Sequence, residues 1–125
     1  MLGYATVGTN EIEKATRFYD EVLTAMNARR VLEFERGVYY GTRGMGLGVL
    51  TPFDGQRATV GNGSMVALQA PDRTTVDTVH ATAIRLGGTD EGAPGLRGDP
   101  SMGFYGAYFR DLDGNKLCIF NISPR

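Results

Sequence analysis

Few side chains in this 125-residue chain could make or break bonds, and the most reactive types occur once each. The lone histidine, His80, lies on the flank of an apolar helical stripe. There it is more often a structural group with a bonded polar tip than a catalytic base. The lone cysteine, Cys118, lies between Leu117 and Ile119, a setting typical of a small buried residue. Only a basic neighbour or a helix N-terminus would make it a reactive thiolate.

Aromatic residues and arginines instead suggest binding. Tyr39 and Tyr40 are adjacent in a strand-like run, so one ring points to each face of the sheet. The same alternation applies to a second run, which contains Phe104, Tyr105, Tyr108 and Phe109. Each ring either packs within the sheet or lines a pocket for a flat or apolar ligand.

Three arginines could hold a ligand carboxylate. Arg43 and Arg110 lie at the ends of the two tyrosine-containing runs, and Arg97 lies in a glycine-rich segment. A guanidinium can clamp a carboxylate with two parallel hydrogen bonds. Each of the three is otherwise an ordinary surface charge.

The elements that would position these residues occur twice. A strand followed by an amphipathic helix at residues 4–26 recurs at residues 65–87, 61 positions later. Apolar residues match across this offset: Ala15 with Val76, Phe18 with Val79, and Val22 with Ala83. Half of the chain is near the lower limit for an independent core, so we expect one domain made of two modules.

The first module is predicted at residues 1–50. A strand covers residues 3–8, Thr9 or Asn10 caps a helix that begins near Glu11, and the helix ends near Ala25. Residues 30–50 contain three short apolar runs separated by glycine turns, which predicts three antiparallel strands. Residues 51–63 are rich in turn-forming residues and predict a linker.

The second module is predicted at residues 64–125. A strand covers residues 64–70, and a helix opens at Pro71-Asp72 and ends near Leu86 before two glycines. Residues 91–103 predict a long loop, which is either a lid or a passive crossover. Strands at 104–110 and 116–121 follow. Asp111, Asp113, Gly114 and Asn115 predict the hairpin turn between them rather than a calcium site.

Composition excludes several classes of function. A net charge of −1 with scattered basic residues gives no footprint for nucleic acid or an anionic membrane surface. The longest apolar runs are far shorter than the roughly 20 residues that span a bilayer. One cysteine excludes an internal disulfide and a thiolate-cluster zinc site. With no secretory signal pattern at residues 1–14, we expect a cytoplasmic protein.

Two stretches carry a specific resemblance. NEIEKATRFY at residues 10–19 and RDLDGNKL at residues 110–117, together with the duplication, resemble the vicinal oxygen chelate superfamily, the fold of glyoxalase I, bleomycin-resistance proteins and extradiol dioxygenases. The resemblance implies an α+β fold in which two tandem βαβββ modules form a curved mixed sheet around a cleft. It also implies a homodimer.

The resemblance further implies a divalent metal held by side chains of the first and last strands of each module. Those positions fall on Tyr4, Met65, Cys118 and a residue near Gly48 or Val49. Such ions prefer carboxylate, imidazole and water, so we predict no metal and no cofactor there. Shifting the alignment by one residue does not supply ligands either.

The sequence therefore predicts a protein that binds a small apolar or aromatic molecule in the cleft without the family's metal. The cleft candidates are Tyr4, Tyr39, Tyr40, Arg43, Met65, Arg97, Tyr105, Tyr108, Arg110 and Cys118. Two alternatives stay open: a metal-dependent lyase or isomerase of the lactoylglutathione lyase type, and a non-catalytic dimer that acts through partners.

Overall fold

The computed structural model describes residues 1–124, which contain eight strands and two α-helices. The first half consists of β1 (Ala5–Gly8), α1 (Ile12–Val22), β2 (Arg29–Phe34), β3 (Gly37–Gly41) and β4 (Leu47–Leu50). The second half consists of β5 (Val66–Gln69), α2 (Arg73–Arg85), β6 (Thr89–Leu96), β7 (Phe104–Arg110) and β8 (Lys116–Ile122). Single 3-10 turns lie at Thr24–Met26 and Pro100–Met102. No helix within residues 1–124 is long and apolar enough to cross a membrane.

The strands form two four-stranded mixed sheets with the same topology, which confirms the predicted α+β fold. The strand orders are β1-β4-β3-β2 and β5-β8-β7-β6. In each sheet the first and last strands of the module run parallel, and the other pairs are antiparallel. Ala5 pairs with Leu47 in the first sheet, and Val66 pairs with Leu117 in the second. The duplication therefore extends to the strand register.

Both helices bury the stripe that the sequence predicts. In α1, Ala15, Phe18 and Val22 are at most 3% exposed. The residues 61 positions later in α2, Val76, Val79 and Ala83, are fully buried. One continuous apolar cluster includes residues from both helices and both sheets. Full burial of a large apolar side chain contributes about 1.5–3 kcal/mol, so this shared cluster holds the two modules together.

Capping differs between the two helices: the Asp72 side chain caps α2, whereas the N-cap residue of α1 is Glu11, not Thr9 or Asn10, and its side chain forms no cap hydrogen bond. The Asp72 carboxylate accepts from the Thr75 backbone N–H at 2.7 Å and caps α2. Before α1, the Thr9 hydroxyl accepts from the Glu11 N–H at 3.0 Å. The Asn10 side chain instead bonds the backbone of Ala58, which ties the linker to the start of α1.

The predicted loop at residues 91–103 is wrong for its first half. Residues up to Leu96 belong to β6, which pairs antiparallel with β7 through two register shifts. Gly92, Pro94 and Gly95 hide this strand in the sequence because such residues are rare within strands. β6 is the edge strand of its sheet, where the missing N–H of a proline costs no ladder hydrogen bond. The remaining turn is tied down, since Arg97 N–H donates to the Phe104 carbonyl at 2.9 Å.

Tyr19 and His80 match across the duplication, and both are buried. The expected structural role of His80 includes a bonded polar tip, and in both residues that tip meets a carboxylate. The Tyr19 hydroxyl donates to Asp111 at 2.5 Å, and Nε2 of His80 lies 3.0 Å from Asp90. Because Asp111 begins the last hairpin, the Tyr19 hydrogen bond joins α1 to the second sheet.

Candidate functional site

Strand alternation gives each sheet one face that packs on the helices and one without a helix, which we call the open face. In β3, Val38 and Tyr40 are buried, and the Tyr40 hydroxyl bonds Asp20 of α1 at 2.8 Å. Tyr39 therefore points to the open face. In β7 the buried Phe109 occupies the position of Tyr40, so Tyr108 points to the open face of the second sheet.

Aromatic rings crowd the open face of the first sheet. The Tyr39 ring lies 5.1 Å from that of Tyr4 in an edge-to-face contact and 5.8 Å from that of Phe34 in a stacked one. The Arg36 guanidinium lies over the rings of Phe34 and Phe53, at 5.6 and 5.2 Å. Each contact between two aromatic rings contributes about 0.5–1.5 kcal/mol beyond the effect of the area it buries. This cluster offers a flat apolar surface.

Gly48 lies beneath the Tyr39 ring, because the two residues pair in register. A Cβ atom at Gly48 would lie 2.7 Å from Cε1 of Tyr39 and 3.0 Å from Cγ2 of Thr6. The ring thus occupies the space that a side chain at position 48 would need. A carboxylate at this position would require Tyr39 to move.

Tyr108 has a different environment on the second sheet. The Arg97 guanidinium lies 5.6 Å from its ring centre and the Lys116 ammonium 5.7 Å. Tyr108 pairs in register with Cys118, which is 1% exposed. Burial raises the pKa of the Cys118 thiol, and the contact with Tyr108 and the charges of Arg97 and Lys116 oppose that rise. The thiol therefore stays protonated near neutral pH.

A stacked pair of rings lies on the same open face. Phe104 and Phe120 are 5.1 Å apart at an interplanar angle of 7°. Phe120 pairs in register with Gly106, and a Cβ atom at Gly106 would lie 2.8 Å from Cε1 of Phe104. The glycine therefore gives the Phe104 ring room to lie flat against the sheet.

The positions at which the resemblance implies metal ligands hold poor donors for a divalent ion. Tyr4, Gly48, Met65 and Cys118 supply a phenol, no side chain, a thioether and a buried protonated thiol. Hard divalent ions require carboxylate or imidazole donors. Within residues 1–124, no three His, Cys, Asp or Glu side chains cluster as a metal site would need.

Two of the predicted cleft tyrosines lie away from the open faces. Tyr40 is 1% exposed, and its hydroxyl is satisfied by Asp20 and by the Thr16 carbonyl at 3.1 Å. Burial and the Asp20 hydrogen bond raise its pKa. Tyr105 packs toward α2, where its hydroxyl donates to Asp77 at 2.6 Å. Both hydroxyls thus bond helix residues, and Tyr40 also lines the groove of about 430 Å³ that contains Tyr4 and Arg43.

The three predicted arginines are separated in the structure. Arg110 bonds Glu91 at 2.6 Å and the Gly114 carbonyl at 2.8 Å, so its charge is already paired. Arg43 lies in the turn between β3 and β4, on a groove of about 430 Å³ that Tyr4 and Met45 also line. Only Arg97 lies against an open-face ring. The structure therefore does not bring the three arginines together.

Four residues of the open faces escaped the sequence prediction: Phe34, Arg36, Lys116 and Phe120. Alternation could have found two of them. Lys116 and Phe120 are two residues from Cys118 on either side, so all three share a face of β8. Phe34 ends β2 and Arg36 lies in the turn that follows, so strand alternation does not predict which way either side chain points.

The chain was compared with known proteins. The model of the Glyoxalase/Bleomycin resistance protein/Dioxygenase superfamily matches residues 1–119. A solved glyoxalase/bleomycin resistance protein from Albidiferax ferrireducens is 37% identical, with a TM-score of 0.84 over 97% of this chain and 98% of that one. A comparison with curated proteins found no match.

Two more distant solved structures share the fold alone. A lactoylglutathione lyase from Agrobacterium tumefaciens is 20% identical, with a TM-score of 0.68 over 97% of this chain and 92% of its own. A fosfomycin resistance protein from Mesorhizobium loti is 16% identical, with a TM-score of 0.68 over 97% of this chain and 91% of its own.

Proposed function

We propose, from the premise that this chain belongs to the Glyoxalase/Bleomycin resistance protein/Dioxygenase superfamily, that it binds a small apolar or aromatic molecule without the family's metal site. Membership follows from the family model over residues 1–119 and from the 37% identical relative. Membership alone does not identify a ligand, since one fold supports unrelated chemistries. The proposal rests on the open faces.

The observation that carries the proposal is the presence of unburied aromatic rings in contact with one another on those faces. Tyr4 and Phe34 are 48% and 41% exposed beside Tyr39. Phe104 and Phe120 form a parallel pair on the second sheet. Large apolar groups left in water on one face mark a binding surface, and flat rings complement a flat or apolar ligand.

A homodimer completes the proposal. Besides the rings, several other large apolar residues are exposed: Leu32, Phe53, Met65, Leu96, Met102 and Ile122. A second copy of the chain would shield part of this surface and turn an open face into a cleft. The family resemblance supports this arrangement, and light scattering of the purified protein tests it. The cytoplasmic location stays a prediction from the sequence.

A glyoxalase-type lyase or isomerase is the alternative. The solved lactoylglutathione lyase has the same fold, but its 20% identity carries no argument about chemistry. The alternative requires metal ligands at positions that hold Tyr4, Gly48, Met65 and Cys118. It predicts metal-dependent turnover that a chelator abolishes.

A thermal-shift screen of flat aromatic compounds, run with EDTA throughout, tests the proposal. We expect stabilising ligands whose effect is lost in Phe120→Ser and kept in Met45→Ser. The second variant removes an exposed apolar side chain from the 430 Å³ groove, outside the open faces. Loss in Met45→Ser alone would move the site to the groove. Absence of any shift across the screen, or shifts that need metal, would overturn the proposal.

A further inference from the structure

The open face of the second sheet carries positive charge that no carboxylate within residues 1–124 fully neutralises. Arg97, Arg110 and Lys116 lie on or beside this face, and Arg110 is bonded to Glu91. Within residues 1–124, neither Arg97 nor Lys116 forms an ion pair with a carboxylate. This excess is local, since the chain as a whole has a net charge of −1.

Both free cations converge on one ring. Their charged groups lie 5.6 and 5.7 Å from the centre of Tyr108, and both act on the thiol of Cys118 beneath it. An exposed contact between a cation and a ring contributes about 0.5–1 kcal/mol, and like charges gathered at one ring repel each other. Both cations would therefore attract a negative charge placed near this ring.

The Arg97 guanidinium is held in place before any ligand arrives. Its Nη2 donates to the Ala93 carbonyl at 2.6 Å and its Nη1 to the Leu96 carbonyl at 3.3 Å. A Cβ atom at Gly95 would lie 3.0 Å from Nη1, and one at Gly92 would lie 3.3 Å from Nη2. These glycines of β6 thus leave room for the guanidinium to lie on the strand. Its remaining N–H groups are free to meet an oxyanion, with little entropy left to lose.

The stacked pair of rings begins two residues along the strand from this charge. Phe120 follows Cys118 by two residues on β8, and Phe104 precedes Gly106 and Tyr108 on the same face of β7. Two residues along a strand span about 7 Å. The face therefore presents a cationic end and a flat apolar end within the length of a small molecule.

We propose that the ligand of the open face is an anion, an aromatic or apolar molecule whose carboxylate or phosphate group binds Arg97 and Lys116 beside Tyr108 while its apolar part lies against Phe104 and Phe120. This inference rests on the proposed function, because it assigns the ligand class of the same face. The rings alone would accept a neutral aromatic molecule, whereas Arg97 and Lys116 favour a negatively charged one.

A matched pair of probes tests the charge requirement. 2-Naphthoate and 2-naphthamide have nearly the same shape, but only the first is negatively charged at neutral pH. We expect titration calorimetry to show roughly tenfold tighter binding of the naphthoate, as for a hydrogen bond to a charged group. This preference should shrink as salt is raised.

Three variants localise the preference. Arg97→Met and Lys116→Met should each reduce the preference for naphthoate at least threefold, because each weakens naphthoate binding more than naphthamide binding. Gly95→Ala should weaken it without removing charge, because the new methyl displaces the guanidinium. Arg17→Met, on the exposed side of α1, makes the same charge change elsewhere and should have no effect. Thermal unfolding of each variant verifies that it is folded.

The outcomes separate the two proposals. Equal binding of the two probes, or a preference that survives both Met variants, would overturn the anion site while the apolar binding face stands. If neither probe binds and no compound in the thermal-shift screen stabilises the protein, both the anion site and the proposed function are overturned.

Discussion

Tyr39 and Tyr108 occupy the same register position in the two sheets, and each lies opposite a residue of the strand that runs parallel to the first strand of its module. Tyr39 pairs with Gly48, and Tyr108 pairs with Cys118. The first ring belongs to an aromatic cluster, whereas the second is flanked by two cations. One duplicated element has therefore produced an apolar surface in one module and a cationic surface in the other.

The Tyr39 ring should make position 48 intolerant of any side chain. Gly48→Ala places a methyl 2.7 Å from the ring, so we expect a loss of about 1–3 kcal/mol in the free energy of unfolding, measured with urea. Gly44→Ala, in open space, is the control and should change stability by less than about 1 kcal/mol. Combining Gly48→Ala with Tyr39→Leu should recover part of the loss. Equal stability of the two alanine variants would contradict the packing described here.

The buried hydrogen bond between Tyr19 and Asp111 should stabilise the join between the modules. Tyr19→Phe leaves a buried carboxylate short of one donor, which costs about 2 kcal/mol at pH 7. Tyr105→Phe is the control, because its partner Asp77 is exposed, and it should cost less than about 1 kcal/mol. A similar loss in both variants would show that burial of the Asp111 bond has no special role.

The same variant should change the pH dependence of stability. Burial raises the pKa of Asp111, and the Tyr19 hydrogen bond opposes that rise. A raised pKa contributes stability that is present below the ordinary value of 3.8 and is lost as pH rises through the folded-state pKa. Without the Tyr19 donor this pKa rises further, so the cost of Tyr19→Phe should grow between pH 4 and pH 7. A cost independent of pH would contradict this assignment.

Asp90 should give the opposite pH dependence. The Gly92 N–H and then His80 hold the pKa of Asp90 below its usual range. Its contribution is therefore present above the ordinary value of 3.8 and is lost as pH falls through the folded-state pKa. The melting temperature of Asp90→Asn should lie below that of the parent at pH 6, and the gap should close in strong acid. Glu35→Gln, in the exposed turn after β2, serves as the control, and a gap that widens in acid would refute the assignment.

Metal content separates the proposed function from its alternative. We expect elemental analysis of the purified protein to find far less than one metal ion per chain. Incubation with Ni²⁺, Zn²⁺, Mn²⁺ or Fe²⁺ should not raise the melting temperature, because Tyr4, Gly48, Met65 and Cys118 are poor donors for such ions. Near-stoichiometric metal would refute the assignment of these positions and direct work to glyoxalase and dioxygenase assays.

Local signals were sufficient for most elements. The period of Ala15, Phe18 and Val22 predicted α1 because a helix buries one stripe, and the offset of 61 residues then predicted α2. β6 was missed because Gly92 and Gly95 give no apolar alternation. These two glycines make room for Arg97 and for the Tyr108 ring. This role depends on tertiary contacts, which the local sequence pattern does not reveal.

The amino-acid sequence by itself determined the duplicated α+β architecture, its helices and most of its strands, because hydrophobic period and turn chemistry are local properties. Together with the resemblance, it predicts that Tyr4, Met65 and Cys118 occupy the family's metal positions. Tertiary structure alone decided which arginine and lysine side chains within residues 1–124 lack a carboxylate partner. Arg110 meets Glu91 and Arg97 meets Tyr108 through the pairing of β6 with β7, and Lys116 reaches the same ring from β8. Charge pairing depends on distances between strands, which no spacing along the chain specifies.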